Sequence, residues 1–126
     1  MNVVSSTVFL TVVDPRASSR FFTSHLGFRE VLAGEDFVGL GRDDAAVDLV
    51  LELFDPELRP PGRGLADVVV SFAVTGLAAE HERLRSEGAT IVAPLQLAPW
   101  GELRLRLADP NGVIVQLTEW LPPAGA

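Results

Sequence analysis

The 126-residue chain predicts an α+β fold built from two βαβββ modules, and three observations carry that prediction. The segment VFLTVVDPRASSRFFTSHLGFREV (Val8–Val31) and the segment VSFAVTGLAAEHERLRSEGATIV (Val70–Val92) both run strand, helix, glycine, strand. Their offset is roughly 60 residues, half the chain, which is the mark of a duplication rather than of a solenoid. The stretches around them alternate apolar and polar residues with the period of a half-buried strand.

In the first module, Val8, Leu10 and Val12 alternate with Thr7, Phe9 and Thr11, which predicts the first strand. Asp14-Pro15 starts a helix, with Asp14 as N-cap and Pro15 in the first helical position. Phe21, Phe22 and Leu26 follow at helical spacing, and Gly27 ends the helix. Phe28–Leu32 extends again, Gly34-Glu35-Asp36 turns, and Phe37–Gly41 and Val47–Phe54 read as two further strands. The second module repeats the plan. It has a strand at Val68–Val74, a helix at Leu77–Ser86 ended by Gly88, and strands at Thr90–Val92, Leu103–Leu107 and Val113–Glu119. Residues 1–54 and 68–120 are thus the modules. Residues 55–67, DPELRPPGRGLAD, are a Pro- and Gly-rich linker, and residues 121–126 are a tail too short to form an element. Each module is expected to be a curved, antiparallel-type sheet with a helix on its convex face. Phe21, Phe22, Leu26, Phe72 and Val74 are assigned to the core, and the turn acids Glu35, Asp36, Asp43 and Asp44 to solvent.

Composition narrows function. The chain has no cysteine, which removes disulfides, thiolate metal sites and cysteine nucleophiles. All 10 basic residues are arginine, so lysine chemistry is excluded, and the Arg, Ala and Leu bias suggests a GC-rich genome such as an actinomycete's. A net charge of −7 argues against nucleic acid and favours a cationic ligand at long range. With no membrane-length apolar run and no signal architecture, a cytoplasmic protein is expected, without membrane partners.

Two motif sets, FFTSHLGFREV and PWG (Pro99–Gly101) followed by ADPNG (Ala108–Gly112), resemble the "FY…LGF" and "PWG…DPDG" passages of the vicinal oxygen chelate superfamily. That superfamily includes glyoxalase I, extradiol dioxygenases and the fosfomycin- and bleomycin-resistance proteins. The resemblance implies that the concave sheet faces form a cup. It also implies four metal-ligand positions, which fall here on Thr7, Glu52, Val69 and Gln116. Thr7 is a poor ligand and Val69 is none, so Glu52 and Gln116 alone could donate. His25 and His81 lie on the helices, away from the cup. No metal, no cofactor and no catalytic residue is therefore expected.

The resemblance then points to the bleomycin-resistance type: an acidic homodimer that sequesters an antibiotic without chemistry. Its expected ligand-binding residues are Thr7, Phe9, Phe37, Glu52, Phe54, Val69, Trp100, Arg104 and Gln116, with Arg106 beside them. Other roles stay open at several of these. The phenylalanines could fill a subunit interface and Trp100 could simply pack. Arg104 and Arg106 could pair with Glu52, Asp48 or Glu102, and Gln116 could bond Thr7 or Glu52. The alternative function is a small-molecule enzyme of the same superfamily. It would be a metal-independent isomerase or hydrolase with Glu52 as general base, or a metal-dependent lyase or dioxygenase.

Overall fold

A computed structural model describes residues 2, 4–55 and 68–121. Apart from Asp55, the expected linker lies outside the described residues, as does the tail beyond Leu121. The chain divides into two compact units, Met1–Ala66 and Asp67–Ala126. The first contains β1 (Thr7–Val12), α1 (Pro15–His25), β2 (Arg29–Ala33), β3 (Phe37–Gly41) and β4 (Asp48–Leu53). The second contains β5 (Val69–Ala73), α2 (Leu77–Ser86), β6 (Ile91–Leu97), β7 (Glu102–Ala108) and β8 (Ile114–Trp120). Each unit is thus a βαβββ module with one four-stranded sheet, ordered β1-β4-β3-β2 in the first and β5-β8-β7-β6 in the second.

The sheets are mixed, not of purely antiparallel type. β1 pairs with β4 in parallel and β5 with β8 in parallel, while the remaining neighbours are antiparallel. Chain direction explains the difference. The helix crossover delivers β2 pointing the same way as β1, and two successive hairpin reversals restore that direction in β4.

Local chemistry accounts for the helix ends. The Asp14 side chain accepts from the Ala17 N–H at 3.1 Å, with Pro15 at the first helical position, as the sequence leads one to expect. At the other end, Gly27 takes φ +69° and the Arg42 guanidinium closes onto the Leu26 carbonyl. A cation there answers the exposed carbonyls of the last turn. Arg42 also lies 5.8 Å from the Phe28 ring centroid and pairs with Asp44, whose carboxyl is held below its ordinary range chiefly by that hydrogen bond. A Cβ at Gly27 would collide with Arg42 Nη1 besides meeting a disfavoured φ. Gly27→Ala is therefore expected to lose about 1–2 kcal/mol of stability, read from the urea midpoint at unchanged slope.

The start of α2 has a cap that the local sequence does not advertise. Its N-cap residue, Gly76, adopts φ +66° and offers no side chain. Glu119 of β8 substitutes, accepting from the backbone N–H of Gly76 at 2.7 Å and of Leu77 at 3.0 Å. A carboxylate at a helix N-terminus satisfies free donors and suits the dipole.

Packing places each helix on one face of its own sheet. In the first unit Leu10, Val12, Phe21, Phe22, Leu26, Phe28, Val38, Leu40, Leu49 and Leu51 are buried. Phe22 meets Phe21 and Phe28 edge to face, with both ring centroids at 5.5 Å. In the second unit Val70, Leu77, Leu84, Leu105, Leu107, Val115 and Leu117 are buried. Phe72 and Val74, expected in that core, are half-buried instead. Phe72 lies on β5, the sheet edge, and Val74 directly follows it, whereas α2 packs over β6 and β8.

β6 also outruns the expected Thr90–Val92 and continues to Leu97. It is the other edge of the sheet, interrupted by register shifts between Ile91 and Gln96. Pro94 is tolerated there because an edge strand and a bulge need no donor from it. No helix among the described residues is long and apolar enough to cross a membrane.

Candidate functional site

Strand alternation leaves one face of each sheet without a helix. In the first unit that face carries three cross-strand rows, fixed by the β1–β4 and β3–β4 registers. Thr7 stands opposite Asp48, Phe9 opposite Val50 and Gly39, and Thr11 opposite Glu52 and Phe37. Phe9 is 61% exposed, whereas Phe37 is half-buried, its ring lying where a Cβ at Gly34 would be. Gly39 and Gly41 leave the floor low at β3: a Cβ added at Gly39 would meet Leu32 and Val31 of β2, and one at Gly41 would meet Asp48 Oδ1 at 3.2 Å and Val31. The result is an apolar face with one carboxylate, Glu52, at its end and another, Asp48, at the opposite row. Glu52 accepts from the Thr11 hydroxyl at 3.3 Å. Phe54 directly follows β4, half-buried, its backbone N–H donating to the Val12 carbonyl at 2.8 Å.

The second unit's open face is polar and cationic at its centre. The β7–β8 register sets Arg106 opposite Gln116 and Arg104 opposite Thr118, and β5 adds Ser71 beside Gln116. Arg106 Nε donates to Gln116 Oε1 at 3.0 Å, and Gln116 Nε2 donates to Ser71 Oγ at 3.3 Å. The guanidinium can only donate, so this chain settles which end of the amide faces which neighbour. Arg104 lies 5.7 Å from the Trp100 ring centroid and 3.5 Å from Glu102. Trp100 itself is 55% exposed in the turn between β6 and β7, closed by the Gly101 N–H on the Ala98 carbonyl at 2.9 Å.

These geometries sort the expected site residues. Phe9, Phe37 and Glu52 share the open face of the first sheet. Arg104 and Gln116 share that of the second, with Trp100 at its turn. Thr7 and Glu52 are parted: they sit four residues apart along parallel strands, about 13 Å. Val69 pairs with Ile114, one row from Gln116. The residues that do flank Glu52 and Gln116 are Thr11 and Ser71, which the reading by motif passed over. Same-face alternation marked Thr11 as a neighbour of Phe9, but no local signal reports the register of a parallel pair. Gln116 bonds Arg106 and Ser71 rather than Thr7 or Glu52, and of the carboxylates considered for Arg104 it is Glu102 that pairs.

The donor set does not fit the divalent ion that the superfamily's enzymes employ. Thr7 and Val69 offer a weak donor and none. The oxygen of Gln116 already receives a guanidinium, a cation where a second cation would have to sit. His25 packs edge-on against Phe21 with centroids 5.4 Å apart, and His81 lies 4.0 Å from Glu82 on α2. Both histidines belong to the helix-bearing faces. Among the described residues no three of His, Cys, Asp and Glu converge.

Two βαβββ modules with parallel first and last strands, each backed by a helix, define an α+β fold of the glyoxalase type. The chain belongs to the Glyoxalase/Bleomycin resistance protein/Dioxygenase superfamily, whose model matches residues 4–117. Among solved structures it is similar to TioX from Micromonospora sp. ML1, at 24% identity and a TM-score of 0.76 over 94% of this chain and 100% of that one. A glyoxalase/bleomycin resistance protein/dioxygenase from Nocardioides is 23% identical, with a TM-score of 0.75 over 100% of this chain and 87% of that one. A superfamily member from Sphaerobacter thermophilus DSM 20745 is 22% identical, with a TM-score of 0.72 over 94% and 98% respectively. At such identities the likeness is one of fold. No curated protein matches the chain.

Proposed function

We propose that this chain is a metal-independent binding protein of the bleomycin-resistance type, a cytoplasmic homodimer that sequesters a cytotoxic natural-product antibiotic of the bleomycin or enediyne kind. The observation that carries the reading is the Arg106–Gln116 bond. It places a cation against the side chain that would otherwise be a ligand, and so withdraws the Lewis acid on which the superfamily's enzymes depend. What the open faces keep is binding chemistry. Exposed Phe9 and Trp100 offer flat apolar area at little entropy cost, suited to planar ligands. Exposed Val31 and Leu32 add apolar surface of the sort that a second copy would cover. Sequestration protects only while protein outnumbers drug, so a nanomolar constant, about −12 kcal/mol, is the affinity it requires.

The test is recovery of the ligand. Bleomycin and an enediyne are incubated with the chain and with Glu52→Gln, extracted and weighed. The expected outcome is stoichiometric capture by both proteins and an unchanged ligand mass. A mass altered with turnover in the native chain and not in Glu52→Gln would replace this reading with a Glu52-based enzyme.

A further inference from the structure

We infer that the open face of the second sheet holds a carboxylate-recognition subsite, in which the Arg106 guanidinium grips the acid of an aromatic ligand stacked at Trp100 and Arg104. The inference rests on the binding-protein reading and gives its ligand a chemistry. Three features of β7 and the elements beside it lead to it.

The first is the way Arg106 is held. Gln116 takes its Nε hydrogen at 3.0 Å, and Gln116 is itself anchored through Nε2 to Ser71 at 3.3 Å. One edge of the guanidinium is thereby fixed, and the terminal Nη pair, the fork that matches a carboxylate in two parallel bonds, remains outside these contacts. An arginine oriented by neutral partners has lost much of its rotamer freedom before any ligand arrives, so less affinity is spent on ordering it.

The second is charge. Arg104 and Arg106 stand on the same face of β7, two residues or about 7 Å apart. Glu102 lies 3.5 Å from Arg104, whereas no described carboxylate lies within 4.0 Å of Arg106. One positive charge is left unanswered, which suits a monoanion better than a phosphate dianion. The chain's net charge of −7 opposes any anion at long range. Screening confines that field to about 8 Å at physiological salt, so the local guanidinium decides at contact.

The third is the ring. Trp100 is 55% exposed and 5.7 Å from Arg104, so a flat ligand meets an indole and a guanidinium plane next to the Arg106 fork. Gln116 is accordingly a positioning residue: it touches the arginine that grips the acid.

The full chain is titrated calorimetrically with 2-naphthoate and with its neutral isostere 2-naphthamide, at low and at physiological salt. Naphthoate is expected to bind about tenfold more tightly, since hydrogen bonds between charged partners are roughly twice as strong as neutral ones. The ratio is expected to shrink with salt, to vanish in Arg106→Gln, and to take an intermediate value in Arg106→Lys, which keeps charge without the fork. In Gln116→Ala it falls while naphthamide affinity stays put, a split that a merely structural role would not produce. In Arg85→Gln on α2 the ratio is unchanged. Circular dichroism establishes that each variant is folded. Equal affinity for the two probes overturns the subsite and leaves the binding-protein reading standing. A naphthoate preference that survives in Arg106→Gln overturns it also, as does failure of both probes to bind at millimolar concentration. An antibiotic returned chemically altered in the recovery experiment sinks the binding-protein reading without touching this ratio.

Discussion

Phe22→Ala is expected to remove about 3–5 kcal/mol of stability, the usual cost of truncating a buried phenylalanine. Phe22 is fully buried at the centre of α1 and holds two rings edge to face, Phe21 on its own helix and Phe28 on the chain that leads into β2. Its removal leaves a cavity between helix and sheet that Leu40, Leu49 and Leu51, themselves fully buried, cannot close without leaving their rotamers. Domains of this size have only about 5–15 kcal/mol in total, so the variant should unfold well below the urea midpoint of the native chain. Phe9→Ala is the matched control. The same truncation on the opposite face of the same sheet, at a residue 61% exposed, should stay within about 1 kcal/mol. Equal losses at the two positions would contradict a core on the Phe22 side of the sheet and an open face at Phe9.

Asp109→Ala should cost about 2–3 kcal/mol, a large effect for a residue in a turn. Asp109 opens the DPNG turn between β7 and β8 and is only 5% exposed. Its Oδ1 accepts from the backbone N–H of Asn111 at 2.9 Å and of Val113 at 2.8 Å. The turn is closed by the Asp109 N–H on the Val113 carbonyl at 2.9 Å, with Gly112 at φ +84°. Alanine strands two partly buried donors, and unsatisfied donors cost more than their bonds contribute. Asp109→Asn keeps an acceptor in place and should lose about half as much. The same turn sets the hairpin register that brings Arg106 opposite Gln116. A one-residue slip would move both side chains to the helix-bearing face. Asp109→Ala should therefore weaken ligand capture by more than its effect on folding implies, which a titration far below its melting temperature would register.

Much of this architecture was legible because it is written in local chemistry. Asp14-Pro15, Gly27 and Gly88 punctuate the helices. The periods of two and of 3.6 separate Leu10 and Leu105 from Phe9 and Arg104. The helix at Leu77–Ser86 and the strand at Phe37–Gly41 have the bounds that periodicity and glycine assign them. What escaped was long-range. β1 and β4 pair in parallel across an intervening helix and two strands, so no turn sets their register, and nothing local shows that Thr11 is the β1 neighbour of Glu52. That Ser71 stands beside Gln116 is hidden for the same reason. Glu119 reads as a strand residue near the C-terminus, yet it caps a helix 42 residues upstream. Pro94 reads as a breaker because nothing in the sequence says that its strand lies at an edge. The role of Gln116 was the hardest to read: an amide on an open sheet face suits a metal, a ligand or a neighbour equally well until its partner is known.

Native mass spectrometry of the chain purified without added metal, alone and then with bleomycin and an enediyne, separates capture from chemistry. The expected species is a homodimer whose mass carries no divalent ion and which takes up one of these drugs intact, near one per chain. A retained ion at about one per chain, or a bound species whose mass has changed by hydration, cleavage or oxidation, would contradict it and make the protein an enzyme.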